Sequence, residues 1–475
     1  MDRTSALQRE ACALFAISMP LMAAYLAEMG MMITDMIIVG RLGSAELAAV
    51  GLTADWFYVL LLIGMGTVSI VGVLAAQSLG SGDRRGAADA VGQGMIAASI
   101  MSVPVMMAVW YLGPALELAR LDAEIVRLVT DYSRPLTFGV LPVLWFTVLR
   151  NYVAALARAS MVMLIMAAAL FLNLALNYTL VYGKFGFPAL GVTGAGIGTS
   201  VVNWLVFAAL AAHLLLAPYF RDFRPRLVPG AVDAQVLRDI FRLGLPVTGA
   251  QLLAGGMFTF AAVLVGLLSP DVLAAQQVVY TVIYVALSAS LAVGDAVRVR
   301  VAYGIGFGSP AGARGAAMIG CAMAAVITAT ASGALWLFPE VIVSIFLDTA
   351  EAANAGVLLI AVSLSIYAGV FQLIDGVLIV LANALRGLRD TRSPMWIMLA
   401  GYWLVGIGTG ALLCFPLGYG AAGLWWGLIL GVVAAIALMA SRFRRRMAEA
   451  ELHLKSSSLR SDTLRDAFAR APREP

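Results

Sequence analysis

The segment YLAEMGMMITDMIIVG, residues 25–40, is rich in apolar residues, yet it carries two carboxylates, Glu28 and Asp35. A transmembrane helix needs about 20 predominantly apolar residues, and residues 13–39 supply such a window. Ionised carboxylates are costly in hydrocarbon and usually face an aqueous cavity or a partner. The segment therefore predicts a membrane helix in which two acids occupy functional positions.

The composition of the whole chain also indicates a membrane protein. Of its 475 residues, 62% are hydrophobic and 12% are charged, whereas soluble domains carry about 25% charged residues. Apolar windows long enough to cross a bilayer recur from end to end. We predict twelve spans, at residues 13–39, 51–79, 92–115, 131–156, 161–183, 194–217, 240–268, 273–305, 314–338, 355–385, 393–415 and 420–441.

Basic residues are distributed unevenly among the connecting loops. They cluster in GDRR (82–85), YFRDFRPR (219–226), LRGLRDTR (385–392) and SRFRRR (441–446). The loops on the other side hold Arg41, Arg120, Arg127 and Lys184. Because cytoplasmic loops are enriched in Lys and Arg, we predict a multi-pass protein of the bacterial plasma (inner) membrane with both termini cytoplasmic. The basic clusters then require no nucleic-acid partner.

Residues that commonly bind metals or form disulfides are scattered along the chain. Cys12, Cys321 and Cys414 lie far apart, and the histidines are His213 and His453. This spacing favours neither a disulfide framework nor a histidine metal centre. We therefore expect no cofactor and no catalytic cluster of His, Cys and acidic residues.

The sequence repeats itself at an offset of 226 residues. Over about eighty residues without a gap, identical residues meet at this offset: Phe15 and Phe241, Pro20 and Pro246, Gly30 and Gly256, Gly80 and Gly306, and Gly94 and Gly320. Six predicted spans separate equivalent points, so both halves cross the membrane in the same direction. Parallel repeats of this kind form two lobes around a central site.

The repeat defines the predicted domain organisation. We expect a first six-helix lobe at 1–216, a charged and Pro-containing cytoplasmic linker at 217–239, and a second six-helix lobe at 240–441. Residues 442–475 alternate charges with few apolar anchors. Such a pattern predicts a solvated cytoplasmic tail that is helical in part.

Three motifs resemble the signatures of a known family. TDMIIVGRLGSAELAAVG (34–51) resembles the first-helix signature of the multidrug and toxic compound extrusion (MATE) transporters. LNLALNYTLVYGKFGFPALGVTGAGIGTS (172–200) resembles the fifth-to-sixth-helix signature of its NorM-like branch, and FQLIDGVLIVLANALRGLRDTRSPM (371–395) resembles the tenth-helix signature. The resemblance extends over about residues 10–440.

The resemblance implies an all-α membrane protein of the MATE, or MOP-superfamily, fold. Twelve transmembrane helices would form two pseudo-symmetric six-helix bundles, arranged as a V around a central cleft. It also implies an antiporter, not an enzyme, that exports organic and often cationic small molecules, such as drugs, dyes and toxic metabolites, while it takes in Na+ or H+. We expect a monomer in the lipid bilayer.

Glu28 and Asp35 lie on one face of the first predicted helix. They are seven residues apart, which leaves them within about 20° of one face and about 10 Å apart along the axis. Low dielectric favours the protonated form of a carboxylate, and a bound cation favours the charged form. Such a group can exchange a proton for Na+ or for a cationic substrate.

The resemblance implies polar partners for Asp35 in the fifth helix, at the positions of Asn173 and Asn177. Residues four apart share a helix face, and amide and carboxylate oxygens are suitable ligands for hard cations. A Na+ site at Asp35, Asn173 and Asn177 follows as a prediction, with Thr199 as a weaker contributor. The alternative is that both asparagines only hydrogen-bond neighbouring helices.

The acids depart from the NorM-like pattern in two places. That branch usually has glutamine at the position of Glu28 and glutamate in the seventh helix, where this chain has Ala254. A cation site near Glu28 either survives in altered form or is lost. Asp375 lacks its expected acidic partner, and Phe371 precedes it by one turn where the branch often has tyrosine. We expect Asp375 to titrate as a proton site or to bind a cationic substrate against aromatic rings, and H+ to be favoured over Na+ as the coupling ion.

The remaining charged residues within predicted spans have two interpretations. Asp295 and Arg298 are three residues apart and can neutralise each other. Arg150 and Arg300 lie near cytoplasmic helix ends and are expected to reach the headgroups. The alternative is that these arginines attract an anionic or zwitterionic substrate. The candidate cavity-lining residues are Phe371, Gln277, Arg150, Asp295 and Arg298.

The main alternative function is a lipid or lipid-linked oligosaccharide flippase of the same superfamily. A cavity that accepts pyrophosphate should be more cationic than this one. Arg150, Arg298 and Arg300 favour that function, whereas the buried acids disfavour it. A channel is also disfavoured, because two lobes around acids at the bilayer midplane are typical of alternating access.

Overall fold

The computed structural model describes residues 3–223, 232–345 and 355–470, and this part of the chain contains helices and no strand. The first half forms α1 (Arg3–Gly40), α2 (Ser44–Val68), α3 (Val71–Gly80), α4 (Arg84–Trp110), α5 (Leu112–Leu118), α6 (Ala123–Thr137), α7 (Val140–Ala155), α8 (Ser160–Tyr182), α9 (Gly191–Leu216) and a 3-10 turn (Pro218–Phe223). The second half forms α10 (Ala234–Gly266), α11 (Pro270–Gly306), α12 (Pro310–Leu337), α13 (Pro339–Ser344), α14 (Ala355–Gly387), α15 (Arg392–Met398), a π-helical segment (Leu399–Ile407), α16 (Gly408–Cys414) and α17 (Gly420–Arg470). The centre of the predicted linker (224–231), residues 346–354 of the predicted second lobe, and the chain ends (1–2 and 471–475) lie outside the described residues.

The described helices account for the twelve predicted spans. Eleven of them are single segments long and apolar enough to cross a membrane, among them the joined α2 and α3 and the joined α15, π segment and α16. α6 and α7 together make the remaining span, which is bent by 47° where they meet. The prediction of an all-α membrane protein with twelve spans is therefore confirmed.

The two halves repeat in space as they do in sequence. α2 begins at Ser44 and α11 at Pro270, while α4 begins at Arg84 and α12 at Pro310. Both pairs of starting points have the offset of the sequence repeat. The predicted arrangement of two pseudo-symmetric six-helix lobes is confirmed.

The helix caps that begin α4 and α12 are equivalent as well. Asp83 accepts a hydrogen bond from the backbone N–H of Gly86 at 2.9 Å, and Ser309 accepts one from that of Gly312 at 3.2 Å. A side-chain cap satisfies a backbone N–H that has no partner within the helix, which typically contributes about 1 kcal/mol. The same local interaction therefore starts the third span of each lobe.

One helix start differs from the sequence prediction, and the last span continues into the tail, which was predicted to be helical in part. α10 begins at Ala234, inside the predicted linker, because Asp233 caps the helix by accepting hydrogen bonds from the backbone N–H groups of Gln235 and Val236. α17 continues as one helix from Gly420 to Arg470. The predicted tail, as far as the structure describes it, is thus an extension of the last span.

We call the side of the bundle where α1 begins, and where α17 extends past its apolar part, the termini side. Here the two lobes meet through glycine. A Cβ atom at Gly80, the last residue of α3, would overlap the carbonyl oxygen of Tyr303 in α11. A Cβ atom at Gly306, the last residue of α11, would overlap the carbonyl oxygen of Gln77 in α3. Gly80 and Gly306 are repeat equivalents, as are Gln77 and Tyr303, so the contact is reciprocal. It lies on the pseudo-twofold axis that relates the lobes.

We expect Gly306→Ala to lower the thermal unfolding temperature of the purified protein. The added methyl group meets backbone atoms that cannot move aside as a flexible side chain could, and overpacking of this kind costs about 1–3 kcal/mol. Gly315→Ala in α12 is the matched control, since nothing lies within 4 Å of a Cβ there. It should leave the unfolding temperature unchanged or raise it slightly, because alanine favours helix over glycine. Equal effects of the two substitutions would contradict the reciprocal contact.

Candidate cation and substrate site

Asp35 is buried where α1 packs against α8 and α9, and 8% of the residue is exposed. Asn177 of α8 donates a hydrogen bond from Nδ2 to Oδ1 of Asp35 at 2.5 Å. Thr199 of α9 donates from Oγ1 to Oδ2 at 3.2 Å. The structure thus brings together three of the predicted site residues from three different spans.

Asn173, the fourth residue of this group, lies one helical turn before Asn177. It is buried beside the Asp35 carboxylate, and its Oδ1 accepts a hydrogen bond from the Thr34 hydroxyl at 3.3 Å. Oδ1 of Asn177 is buried and has no hydrogen-bond partner among the described residues. Since carboxylate, amide and hydroxyl oxygens are the donors that a hard cation prefers, this group fits either a proton on Asp35 or a bound Na+.

Two further residues shape the Asp35 group, and sequence reasoning missed both. A Cβ atom at Gly198 would overlap Oδ1 of Asn177, so glycine is required for α9 to approach α8 this closely. Tyr132 of α6 is buried next to Asp35 and Thr199. Gly198 directly precedes Thr199 in the fifth-to-sixth-helix motif, which is the signal that could have identified it. Nothing in the sequence around Tyr132 indicates its position.

Asp375, the acid of α14, is buried in the second lobe with 3% of the residue exposed. The Tyr402 hydroxyl donates a hydrogen bond to its Oδ1 at 2.6 Å. Tyr402 lies in the π-helical segment of the eleventh span, and such segments are frequent at functional sites. No pattern of residues indicated Tyr402, because π-helical geometry is not visible as a residue period.

Among the residues that the structure describes, none beside Asp375 substitutes for the acid that the family resemblance implies at Ala254. Trp403, next to Tyr402, donates its indole N–H to the backbone carbonyl of Leu253 at 3.0 Å, which fixes the eleventh span against α10. The polar partner of Asp375 among the described residues is therefore a phenol and not a second carboxylate. This arrangement differs chemically from the Asp35 group.

Of the residues predicted to line the cavity, Phe371 lies elsewhere, and the position of Gln277 stays a prediction. Phe371 is fully buried and packs edge-on against Phe258 and Trp425, with ring centroids 5.7 and 6.0 Å away. Its ring therefore belongs to an aromatic core and does not reach the cleft. Gln277 is exposed on α11, whereas its neighbour Gln276 is the buried residue.

Glu28 stands at the wall of the central cleft, with 42% of its side chain exposed. The Arg150 guanidinium lies 3.7 Å from its carboxylate and 5.1 Å from the ring centroid of Tyr25. Tyr58 of the first lobe is within electrostatic range of Glu28 and, across the cleft, of Tyr284. Arg150 is thus engaged by a carboxylate and an aromatic ring, and does not extend to the headgroups as predicted.

Glu28 and Arg150 also line a small cavity of about 60 Å³. Its other walls include Met31, Met65 and Met166. Thioether side chains adapt to ligands of different shape. The cavity thus combines an acid, a base and flexible apolar walls.

Asp295 and Arg298 connect the two lobes. Their side chains form an ion pair at 3.1 Å, as the sequence predicted. In addition, the Tyr25 hydroxyl of α1 donates to Asp295 at 2.6 Å, and Arg298 donates to Oδ1 of Asn151 in α7 at 2.7 Å. Both residues therefore serve the contact between the lobes, and Arg298 is shared between two acceptors.

Arg300 was expected to reach the lipid headgroups, and this prediction was wrong. Its guanidinium donates two hydrogen bonds, of 2.7 and 2.6 Å, to the two carboxylate oxygens of Glu10. α1 begins before its apolar window, so that Glu10 lies beside α11 on the termini side. A bidentate pair of this kind is stronger than a single hydrogen bond, and it forms a second polar bridge between the lobes.

Two parallel six-helix lobes that are related by a repeat and enclose buried carboxylates define a membrane transporter of the two-lobed class. The family model MatE matches residues 20–179 and 246–412, and these two segments start at equivalent points of the repeat. The chain belongs to this family, the MATE transporters.

Similar proteins cover nearly the whole chain. "Probable multidrug resistance protein NorM" of Pseudomonas aeruginosa is 35% identical over 423 residues, which are 89% of this chain and 87% of the relative. "Multidrug resistance protein NorM" of Burkholderia vietnamiensis is 33% identical over 97% of this chain and 98% of its own length. The predicted resemblance to the NorM-like branch is confirmed.

Solved structures share the fold at lower identity. A MATE in the bent conformation superposes with a TM-score of 0.85 at 20% identity, covering 96% of this chain and all of the other. An outward-facing multidrug resistance MATE family transporter of the MOP superfamily gives 0.83 at 20% identity, covering 95% of this chain and 99% of the other. The predicted fold is therefore confirmed.

The close approach of Gly198 to Asn177 predicts a specific pattern of stabilities. Gly198→Ala should lower the thermal unfolding temperature, since the new methyl group displaces the Asn177 amide and leaves Oδ1 of Asp35 without its donor, a loss of about 1–3 kcal/mol. Asn177→Ala should also be destabilising, but the double variant should be no less stable than Gly198→Ala alone. The reason is that removal of the amide removes the overlap, and contacting residues are not additive. Additive losses in this double-mutant cycle would contradict the contact.

Proposed function

We propose that this chain is a cation-coupled antiporter that exports organic, cationic or amphipathic compounds by alternating access. The observation that carries the proposal is the buried Asp35 carboxylate, which amide and hydroxyl groups of two other spans hold in place. A carboxylate in such a position exchanges one positive species for another, because it is unfavourable there without a proton or a cation. The names of the relatives, which are called multidrug resistance proteins, support the same substrate class.

The proposed orientation places the termini side in the cytoplasm of a bacterium, in its inner membrane. The basic clusters at 82–85, 385–392 and 441–446 all lie at this side of the bundle, as expected for cytoplasmic loops. We propose that the protein works as a monomer, since each chain contains both lobes and the cleft between them.

The contacts between the lobes support alternating access. The bonds of Tyr25 with Asp295, of Arg298 with Asn151 and of Arg300 with Glu10 join the lobes between the middle of the spans and the termini side. Exposed aromatic residues, Tyr58 and Tyr284, face each other nearer the opposite side. We propose that the cleft opens away from the cytoplasm in this conformation, and that these polar bonds break when the lobes rock.

Glu28 and its small cavity supply the proposed contact with the substrate. The carboxylate stays 42% exposed although Arg150 lies 3.7 Å away, and it lies beside methionine and aromatic side chains. A cationic and partly apolar compound is matched by this combination. In the proposal, arrival of a proton or Na+ at Asp35 and departure of the organic cation from the cleft are the two halves of the exchange.

The chemistry of the second lobe favours H+ over Na+ as the coupling ion. Asp375 accepts a hydrogen bond from the Tyr402 hydroxyl, and Ala254 occupies the position of the second acid. The second lobe therefore offers one carboxylate, whereas two would coordinate Na+ more strongly. Protonation of a single buried carboxylate requires no such ligand set. The proposal that the chain exports organic compounds does not depend on which coupling ion it uses.

The flippase alternative finds no support in the cleft. Arg150 is engaged by Glu28, and Arg298 by Asp295 and Asn151. Neither arginine is therefore free for a pyrophosphate group. The acids and methionines of the cleft favour an organic cation.

Drug susceptibility of a pump-deficient bacterial host tests the exported class. We expect expression of the chain to protect against cationic dyes and drugs, and Asp35→Asn to reduce efflux to near the level of the host without the chain, because an amide cannot exchange a proton for a cation as a carboxylate does. The matched control is Glu117→Gln, which neutralises an exposed acid of the same lobe. Absence of protection by the natural chain against any cation tested would overturn the proposal, and equal loss in the two variants would remove Asp35 from it.

Efflux from vesicles under separately imposed gradients tests the coupling ion. We expect an inward-driving pH gradient to power export of a fluorescent cation, and a Na+ gradient at constant pH to have little effect, because Asp375 has no second carboxylate beside it. Collapse of each gradient with the appropriate ionophore is the control. Transport driven by the Na+ gradient alone would show that the preference for H+ is wrong.

A further inference from the structure

A groove of about 480 Å³ lies between the eleventh and twelfth spans on the termini side. It is separate from the Asp35 and Asp375 groups and from the central cleft. Its walls come from α15 and from the middle of α17. The lining residues are Arg392, Ser393, Trp396, Ile397, Leu438, Ser441, Arg442 and Arg445.

The groove is polar at one end and apolar at the other. Arg392 begins α15, and Arg442 and Arg445 follow the apolar part of α17, so the basic residues stand where the two spans leave the hydrocarbon. Trp396 and Leu438 lie about one turn further into the membrane and are 61% and 48% exposed. Tryptophan is typical of the membrane interface. The two ends match a charged headgroup and an acyl chain.

Part of the positive charge of the groove is already neutralised. Asp390 accepts a hydrogen bond from Arg442 at 2.7 Å and lies 3.4 Å from Arg446. Burial acts to raise the pKa of Asp390, but the hydrogen bonds from Ser393 and Arg442 outweigh it, and the pKa lies below its usual value. The carboxylate therefore remains ionised opposite Arg442.

Arg392 and Arg445 are not neutralised in this way. Both are exposed, and neither forms an ion pair with an acid in the part of the chain that the structure describes. Together with Arg442 they give the groove a net positive charge. Arginine binds phosphate oxygens through paired N–H donors.

We propose that this groove is a binding site for an anionic phospholipid of the leaflet on the termini side. The phosphodiester lies between Arg392 and Arg445, and an acyl chain lies along Trp396, Ile397 and Leu438. Basic pockets between transmembrane helices on the cytoplasmic side recognise lipid headgroups in this manner. A free phosphate could satisfy the arginines but would leave the apolar floor uncovered, so the lipid is the favoured occupant.

The position of the groove gives the lipid a structural consequence. α15 continues directly into the π-helical segment that carries Tyr402, the partner of Asp375. A lipid that joins α15 to α17 therefore holds the eleventh span at the point from which Tyr402 is positioned. The inference rests on the membrane assignment and is independent of which compound is exported.

Native mass spectrometry of the full chain in detergent tests the site. The probes are dioleoyl phosphatidylglycerol, dioleoyl phosphatidylcholine and inorganic phosphate. We expect the natural chain to bind phosphatidylglycerol about tenfold more tightly than phosphatidylcholine, and the double variant Arg392→Gln/Arg445→Gln to lose that preference, because basic residues near anionic lipid each contribute to binding. The matched control Arg85→Gln/Arg444→Gln, which removes the same charge from exposed positions outside the groove, should retain it.

A second substitution separates lipid from free phosphate. Trp396→Ala removes apolar floor without changing charge, and should weaken binding of phosphatidylglycerol while leaving any binding of inorganic phosphate unchanged. Inorganic phosphate that competes fully with the lipid, together with no effect of Trp396→Ala, would overturn the lipid assignment. Equal affinity for the two lipids, or equal loss in the groove and control variants, would overturn the site itself.

Discussion

The Asp35 carboxylate must find its hydrogen-bond partners inside the protein, because the membrane interior has no water to replace them. Asn177 and Thr199 are those partners, and they come from α8 and α9. The first, fifth and sixth spans are therefore fixed at one depth and one rotation relative to each other. Gly198 makes the approach possible, since any side chain there would push the amide away. The packing of the first lobe thus follows from the requirements of one charged group.

The second lobe repeats the backbone of the first but not its chemistry. Helix starts and caps recur at the same offset, whereas Asp375 is held by the phenol of Tyr402 in a π-helical segment. Ala254 occupies the position at which the second lobe would carry another acid, and Glu28 adds an acid to the cleft wall of the first lobe. This asymmetry fits a transporter in which one lobe carries the exchanging carboxylate and the other adjusts to it.

The parts of the fold that depend on composition and local period could be predicted from the sequence. Twelve apolar windows, the repeat and three motifs were sufficient for the span positions, the two lobes and the family. The convergence of Asp35 with Asn173, Asn177 and Thr199 was also predicted, because the family resemblance implies it. Other contacts between distant spans could not be predicted, since they depend on how far each helix extends and how it is rotated. For this reason Arg300 was assigned to the headgroups, whereas its partner is Glu10. Phe371 was assigned to the cavity, whereas it lies in an aromatic core. Tyr402 was not considered.

The reciprocal contact of Gly80 and Gly306 consists of main-chain atoms from both lobes. Side chains that must adopt one rotamer when two surfaces join lose conformational entropy. A contact made of main-chain atoms has almost no such entropy loss. In the proposed cycle, this one contact would part and rejoin without side chains of its own to reorder, unlike the Arg300–Glu10 bridge on the same side. A contact with that property would serve the proposed alternating access, in which the lobes return to the same two positions.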